Sequence, residues 1–204
     1  KTALSEDGKD VFEISSKDGK PYIQGSSLSA LTTGIGWYLN HYAHINLSWN
    51  NLTTDLSKVN LPVPQAIERR ECSAVYRYYL NYCTYSYSMA FWTRERWEQE
   101  IDWMALHGIN IPLALVGTDV VWKNVLAEAG YKREDIDKFV AGPGFQAWWL
   151  MNNLEGWGGT APGALNGGTW EGAGGVQDDA WYVRQQKLAK SILDRQRELG
   201  IHPV

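Results

Sequence analysis

The sequence predicts an α/β protein, in which a small N-terminal α+β domain of order ββαβ precedes the opening βα repeats of a parallel sheet or barrel. Three observations carry this. Residues 74–116 read as strand, helix, strand, the βαβ unit of a parallel sheet. The alternation of helical stripe and apolar run then continues to the last four residues, Ile201 to Val204. Upstream, a hairpin and a helix end in the Pro-spaced connector LPVPQ at residues 61–65, which places a domain boundary near Ile67 and gives domains of residues 1–66 and 67–204.

Taken in order, VFEIS and KPYIQG flank Lys17, Asp18 and Gly19, and Asp-Gly between short β-prone runs is a strong hairpin signal. Ser26 or Ser27 then caps a helix whose stripe is Leu28, Leu31, Ile35, Tyr38, Leu39 and Tyr42. INLSW, residues 45–49, follows as a short third strand. Residues 74–84 are crowded with Tyr, Val and Leu, which suit a pleated, half-buried surface. Thr93 caps the next helix, Trp97, Ile101, Met104 and Ala105 recur at helical spacing, and Gly108 ends it. Residues 109–116 are almost wholly apolar, as a strand covered on both sides would be.

Gly117, Thr118 and Asp119 lead into a helix with Val121, Val125 and Ala129 on one face and Gly130 as C-cap. A second helical piece over residues 133–140 ends at Gly142-Pro143-Gly144. An aromatic stretch, FQAWWLMNNLEGWGG, runs into a Gly-rich loop at residues 156–175 that carries Trp157, Trp170 and Glu171. Asp178 or Asp179 caps the last helix, with Trp181, Leu188, Ile192 and Leu199 as its buried stripe and Gly200 at its end. Residues 201–204 are the start of a third strand. In such folds the chemistry lies at the carboxyl ends of the strands, here residues 81–84 and 116–119.

Composition narrows the function. A formal charge of -4 over 204 residues, with mixed signs, supplies no basic field for nucleic acid or an anionic membrane. No apolar run is long enough to span a bilayer, and the first residues lack a signal-peptide core. A chain that opens on Lys reads as a mature or trimmed product. Eleven Trp and eleven Tyr stand beside four Phe, so rings with a polar handle dominate, and these suit sugar faces as well as ordinary packing. Cys72 and Cys83 are too few to staple the fold. On one extended strand they would lie about 36 Å apart, which makes them free thiols.

Motifs for other chemistries are missing. TTGIG at residues 32–36 lies within a helix, so it is no phosphate loop, and there is no GxSxG elbow. His41 and His44 have no third ligand nearby in sequence and suit a helix C-terminus. No metal or cofactor is expected. Asn46-Leu47-Ser48 and Asn51-Leu52-Thr53 match a glycosylation acceptor pattern that matters only in a eukaryotic secretory protein. Asp119, Glu155 and Glu171 are the carboxylates placed for glycoside hydrolysis, although Asp119 also reads as a helix N-terminal charge and the two Glu lie in or beside the loop.

The run YRYYLNYCTYSYS followed by WEQEIDWMALHGIN resembles the α-N-acetylglucosaminidases, glycoside hydrolase family 89. The resemblance continues through AGPGFQAWWLMNNLEGWGG, with the family's Gly-Pro-x-Phe-x-Ala-Trp and Asn-Leu-x-x-Trp pattern, and back over IQGSSLSALTTGIGWYLNHY. It implies a small α+β domain, a (β/α)8 TIM-type barrel cut at its third strand here, and retaining hydrolysis of terminal α-linked N-acetylglucosamine by two Glu that lie beyond this chain. It also implies that Asn81, Cys83 and Trp157 line the sugar pocket, that no metal takes part, and that the rest of the same polypeptide completes the barrel. Relatives act in animal lysosomes on heparan sulphate and, in bacteria, outside the cytoplasm on host glycans such as mucin, so an extracytoplasmic location is implied. Two other readings remain: a non-catalytic carbohydrate-binding module, and a related glycosidase for a different sugar.

Overall fold

The computed structural model describes residues 2–3, 5–51, 55–140, 144–151 and 179–204. They fall into two compact units, one of Lys1–Tyr79, Arg96–Pro112 and Leu193–Val204, the other of Leu80–Glu95 and Leu113–Ile192.

In the first unit, β1 (Val11–Lys17) and β2 (Lys20–Gly25) form the expected hairpin, with Ile14 opposite Ile23. Asp18 and Gly19 both take positive φ, 52° and 71°, the two-residue turn whose twist matches the strands. Helix α1 (Leu28–His41) is capped by Ser27, whose side chain accepts from Ala30 N at 3.0 Å. Its buried face is Ser29, Ala30, Gly34, Tyr38 and Leu39, while Leu28, expected in the stripe, is 53% exposed. Close approach explains the difference: a Cβ on Gly34 would lie 2.9 Å from Ile23 Cγ2 and 3.1 Å from Phe12 Cβ, so only small residues fit against the hairpin. Phe12, Ile14, Tyr38, Leu39 and Ile45 make the core there.

INLSW forms no strand; among the described residues an isolated bridge between Ser48 and Asn51 is its only pairing. The third strand is instead β3 (Glu68–Glu71), antiparallel to β1 with Phe12 opposite Arg70, giving the order β2-β1-β3. Its sequence, ERRE, has no β signature, but charged side chains suit an edge, and Arg69 meets Glu13 across the pair at 2.7 Å.

The parallel part of this unit holds β4 (Tyr78–Tyr79) beside β5 (Ile111–Pro112). Between them in sequence, α2 (Arg94–Leu106) buries Trp97, Glu100, Ile101, Met104 and Ala105, and Gly108 follows its end with φ 78°. Both strands are far shorter than residues 74–84 and 109–116 led us to expect. Leu80 turns to a positive φ of 76°, and Pro112 has no N–H to extend its ladder. Residues 201–204 lie along β5 as anticipated for a third strand: His202 N donates to Asn110 O at 2.8 Å and Val204 N to Pro112 O at 3.0 Å, the alternate-residue spacing of a parallel neighbour.

Two polar arrangements fix this unit. Arg77 donates to Gly108 O at 2.5 Å, Ala74 O at 2.7 Å, Asp10 Oδ2 at 2.9 Å and Ser29 Oγ at 3.0 Å, tying β4 to the N-terminal hairpin and α1. Glu100 accepts from Tyr79 OH at 2.8 Å and from Arg96 at 3.0 Å, so its buried carboxylate is satisfied. A Cβ on Gly36 would stand 1.9 Å from Leu106 O, which explains TTGIG as the crossing of α1 over the end of α2.

The second unit contains α3 (Thr118–Glu128), α4 (Arg133–Phe139), α5 (Gln146–Leu150), two short 3₁₀ turns, Cys83–Ser86 and Ser88–Phe91, and the first part of α6 (Asp179–Glu198). Ile136, Val140 and Trp149 form its core, with Leu126, Phe145 and Leu150 packed around them. Val121 and Val125, grouped on one face by the sequence, are 60% and 51% exposed.

Candidate functional site

The segment after β4 does not stay extended as expected. Leu80 is buried, yet its backbone lies in the left-handed region, which costs a residue with a Cβ about 1–2 kcal/mol. Asn81 then opens a 3₁₀ turn instead of ending a strand. Its Oδ1 accepts from Thr84 N at 3.2 Å, and Thr84 Oγ1 donates back to Asn81 O at 2.7 Å. Short polar side chains compete with strand pairing in this way, and that competition defeats the β propensity of the tyrosines around them. The Asn81 side chain is thereby fixed at one end, while its Nδ2, on an exposed residue, has no partner among the described residues.

The turn is braced from both sides. Tyr85 OH donates to Leu113 O, and the buried Ser86 Oγ accepts from Ala147 N at 2.9 Å, which fastens α5 against it. Cys83, a free thiol, sits half-buried in the turn. Of the two adjacent indoles on α5, Trp149 turns into the core against Phe139 and Trp122, both edge-on at 5.4 Å. Trp148 turns the other way and meets the exposed Tyr87 edge-on at 5.5 Å, with Phe145 at 6.4 Å. Asn81, Cys83, Tyr87 and Trp148 therefore belong to one braced segment and the helix pinned to it.

Beyond β5, Thr118 Oγ1 donates to Leu115 O at 2.8 Å and accepts from Gln146 Nε2 at 3.4 Å. Asp119 is sealed, 2% exposed, and accepts from Trp181 Nε1 at 2.9 Å and Val120 N at 2.9 Å. Burial pushes its carboxyl above the usual range, with the Trp181 and backbone hydrogen bonds opposing. A carboxylate so enclosed pins α6 to α3 and does not reach a sugar. Trp157, Glu155 and Glu171 lie outside the described residues. His41 stacks on Trp37 at 3.9 Å, and Cys72 is buried, which raises its thiol pKa.

Sequence reasoning missed three members of this arrangement: Leu80, Tyr87 and Trp148. All three lie in the runs that carry the family resemblance, Leu80 and Tyr87 in YRYYLNYCTYSYS and Trp148 as the final Trp of the Gly-Pro-x-Phe-x-Ala-Trp pattern. On one braced segment and the helix pinned to it, the arrangement offers a fixed amide donor and half-open aromatic rings, residue types that can read a sugar's polar groups and its apolar face.

Comparison with known proteins bears on what that arrangement serves. The family model described as alpha-N-acetylglucosaminidase (NAGLU) tim-barrel domain matches residues 77–204, and that of the NAGLU N-terminal domain matches residues 1–63. Alpha-N-acetylglucosaminidase of Homo sapiens is 34% identical over 186 residues, covering 89% of this chain and 22% of its own. The family 89 glycoside hydrolase of Clostridium perfringens in complex with PUGNAc is 30% identical with a TM-score of 0.78, covering 100% of this chain and 21% of that one. A double Glu-to-Gln variant of CpGH89 from the same organism, in complex with its substrate GlcNAc-alpha-1,4-galactose, is 31% identical with a TM-score of 0.77, covering 99% and 21%. The chain thus spans about a fifth of the length of these relatives.

Proposed function

The chain belongs to the alpha-N-acetylglucosaminidase family, and from that premise we propose that it forms the N-terminal part of a retaining glycoside hydrolase that removes terminal α-linked N-acetylglucosamine from glycans. The observation that carries the reading is Asn81, held by Thr84 through one end of its amide and left with an unpartnered donor at the other, in the turn to which Trp148 is fastened. In this reading Asn81 Nδ2 donates to a sugar oxygen, Cys83 walls the pocket, and Trp148 and Tyr87 cover the apolar face. Trp157 is assigned to the same pocket through the family pattern alone.

The acid/base and the nucleophile are two Glu outside residues 1–204, held about 5–5.5 Å apart as retention requires. Protonation of the leaving oxygen and attack at the anomeric carbon would form a covalent glycosyl-enzyme that water resolves. What residues 1–204 contribute is orientation and desolvation of the ring. Action on glycans fits a protein exported from the cytoplasm, which fractionation of the source cells tests.

The decisive assay is hydrolysis of an aryl α-N-acetylglucosaminide by the full-length protein, with the anomer of the released sugar followed by NMR. Retained configuration is expected, and N81A should lower kcat/KM roughly 10- to 100-fold, the effect of losing one uncharged hydrogen bond to the sugar. A folded full-length protein without turnover overturns the reading. Binding of N-acetylglucosamine without turnover would instead favour a carbohydrate-binding module.

A further inference from the structure

Among the described residues, three with a side chain take positive φ: Asp18, His44 and Leu80. Asp18 occupies a hairpin turn that asks for that conformation, and Asp and His are among the types that tolerate it. Leu80 has no such excuse. It is a bulky aliphatic residue, 8% exposed, with φ 76°, and its side chain has no polar group to hydrogen-bond the local backbone in return. An unfavourable backbone persists only where its surroundings impose it, and this one lies between the last residue of β4, Tyr79, and Asn81.

We propose that Leu80 is a positioning residue for Asn81: its left-handed backbone ends β4 and sets the direction in which the Asn81 amide is presented. The inference rests on the glycosidase reading for its consequence in catalysis, although its geometry does not. Had the chain stayed extended at residue 80, Asn81 would have continued the strand, and its Oδ1 would not reach Thr84 N three residues further along the turn. Leu80 acts only through the backbone conformation it adopts. Burial alone would be served by an ordinary β conformation, and the left-handed one is what converts a strand end into the braced turn that carries Asn81 and Cys83.

Glycine and alanine at this position separate backbone from packing. Both remove the side chain, glycine more completely, but only glycine enters the left-handed region without penalty. In the full-length protein, L80A should lower kcat/KM for an aryl α-N-acetylglucosaminide about 10- to 100-fold, mostly through KM, and L80G should recover about tenfold of that. The loss in L80A combined with N81A should not exceed that of N81A alone, because both act on one contact. An L80G enzyme equal to or worse than L80A, or losses that multiply in the double variant, would overturn the proposal. The second readout needs no turnover: the rate of Cys83 alkylation by iodoacetamide, followed by peptide mass spectrometry, should rise several-fold in L80A and stay near the wild-type rate in L80G. If L80G alkylates as fast as L80A, or is the less stable of the two to heat, the proposal fails. Absence of turnover in the wild type, with the alkylation order as expected, sinks the glycosidase reading and leaves the positioning role standing.

Discussion

At the scale of single residues, the informative contrasts lie between side chains that look alike in sequence. Trp148 and Trp149 are neighbours, yet one builds the core and the other faces Tyr87. Asp10 and Asp119 are both carboxylates near the start of a helix, with opposite titration. Burial opposes charge on Asp10, but hydrogen bonds from Ser27, Arg77 and Ser26 outweigh it and hold its pKa below the usual value. Its contribution to stability is therefore present above about pH 4 and lost as the pH falls through the lowered pKa. For Asp119 burial wins, and the sign reverses. The unfolded chain ionises this group first, so its contribution is greatest below about pH 4 and declines as the pH rises through the elevated pKa. D119N keeps an acceptor for Trp181 and removes the titration. Thermal unfolding of full-length D119N between pH 4 and 7 should show a gain in stability over wild type that grows with pH; a gain that shrinks with pH would contradict the burial argument. None of this was legible beforehand, because Asp119 as a helix N-terminal charge and Asp119 as a sealed acceptor share one sequence.

At the scale of elements, the helices and the first hairpin read well and the later strands poorly. The stripe Trp97, Ile101, Met104 and Ala105 is buried as spaced, because a helix advertises its inward face over several turns. Strands two residues long leave no such pattern, and β3 is composed wholly of charged residues. Of the tyrosine-rich run expected as one strand over residues 74–84, only Tyr78–Tyr79 pairs as a strand; the chain turns at Leu80 and enters a 3₁₀ turn at Cys83, which the local hydrogen bonds of Asn81 and Thr84 hold. Glycines in α1 carried more information than the apolar residues around them. Gly34 lies against the hairpin and Gly36 against the end of α2, so the helix is gripped on two faces. G36A should lower unfolding stability by about 1–3 kcal/mol, since the new methyl meets a backbone carbonyl and cannot be accommodated by a side-chain rotation. Chemical denaturation of the full-length protein checks this, and an unchanged midpoint would show that α1 can slide.

At the scale of the whole molecule, each of the two units has its own core, and the pieces of each are scattered along the chain. The fold class legible in the sequence, an N-terminal α+β region ahead of parallel βα repeats, is the one observed. The sequence did not reveal that β3, beyond the connector at residues 61–65, completes the first sheet, nor that Arg77 joins that sheet to β4. Among the described residues, nothing pairs with the far side of residues 201–204, and Val121, Trp122 and Val125 remain exposed. Unpaired strand edges and apolar patches of this kind favour association. Residues 1–204 expressed alone should therefore self-associate and show no glycosidase activity, measurable by analytical ultracentrifugation and the aryl glycoside assay. A soluble monomer with a sharp thermal transition would count against the open-edged sheet.

The late arrival of β3 has a consequence for biosynthesis. β1 and β2 leave the ribosome together, but the strand that covers the other side of β1 follows only after residues 26–67 have been translated. At roughly 5–20 residues per second that interval is on the order of several seconds, during which β1 offers bare amides and carbonyls to any passing nascent chain. Arg77 emerges six residues after β3, so the guanidinium clasp on Asp10 closes almost as soon as the sheet does. Codon choice across that interval would then set how long a trigger-factor-like chaperone has to shield the hairpin.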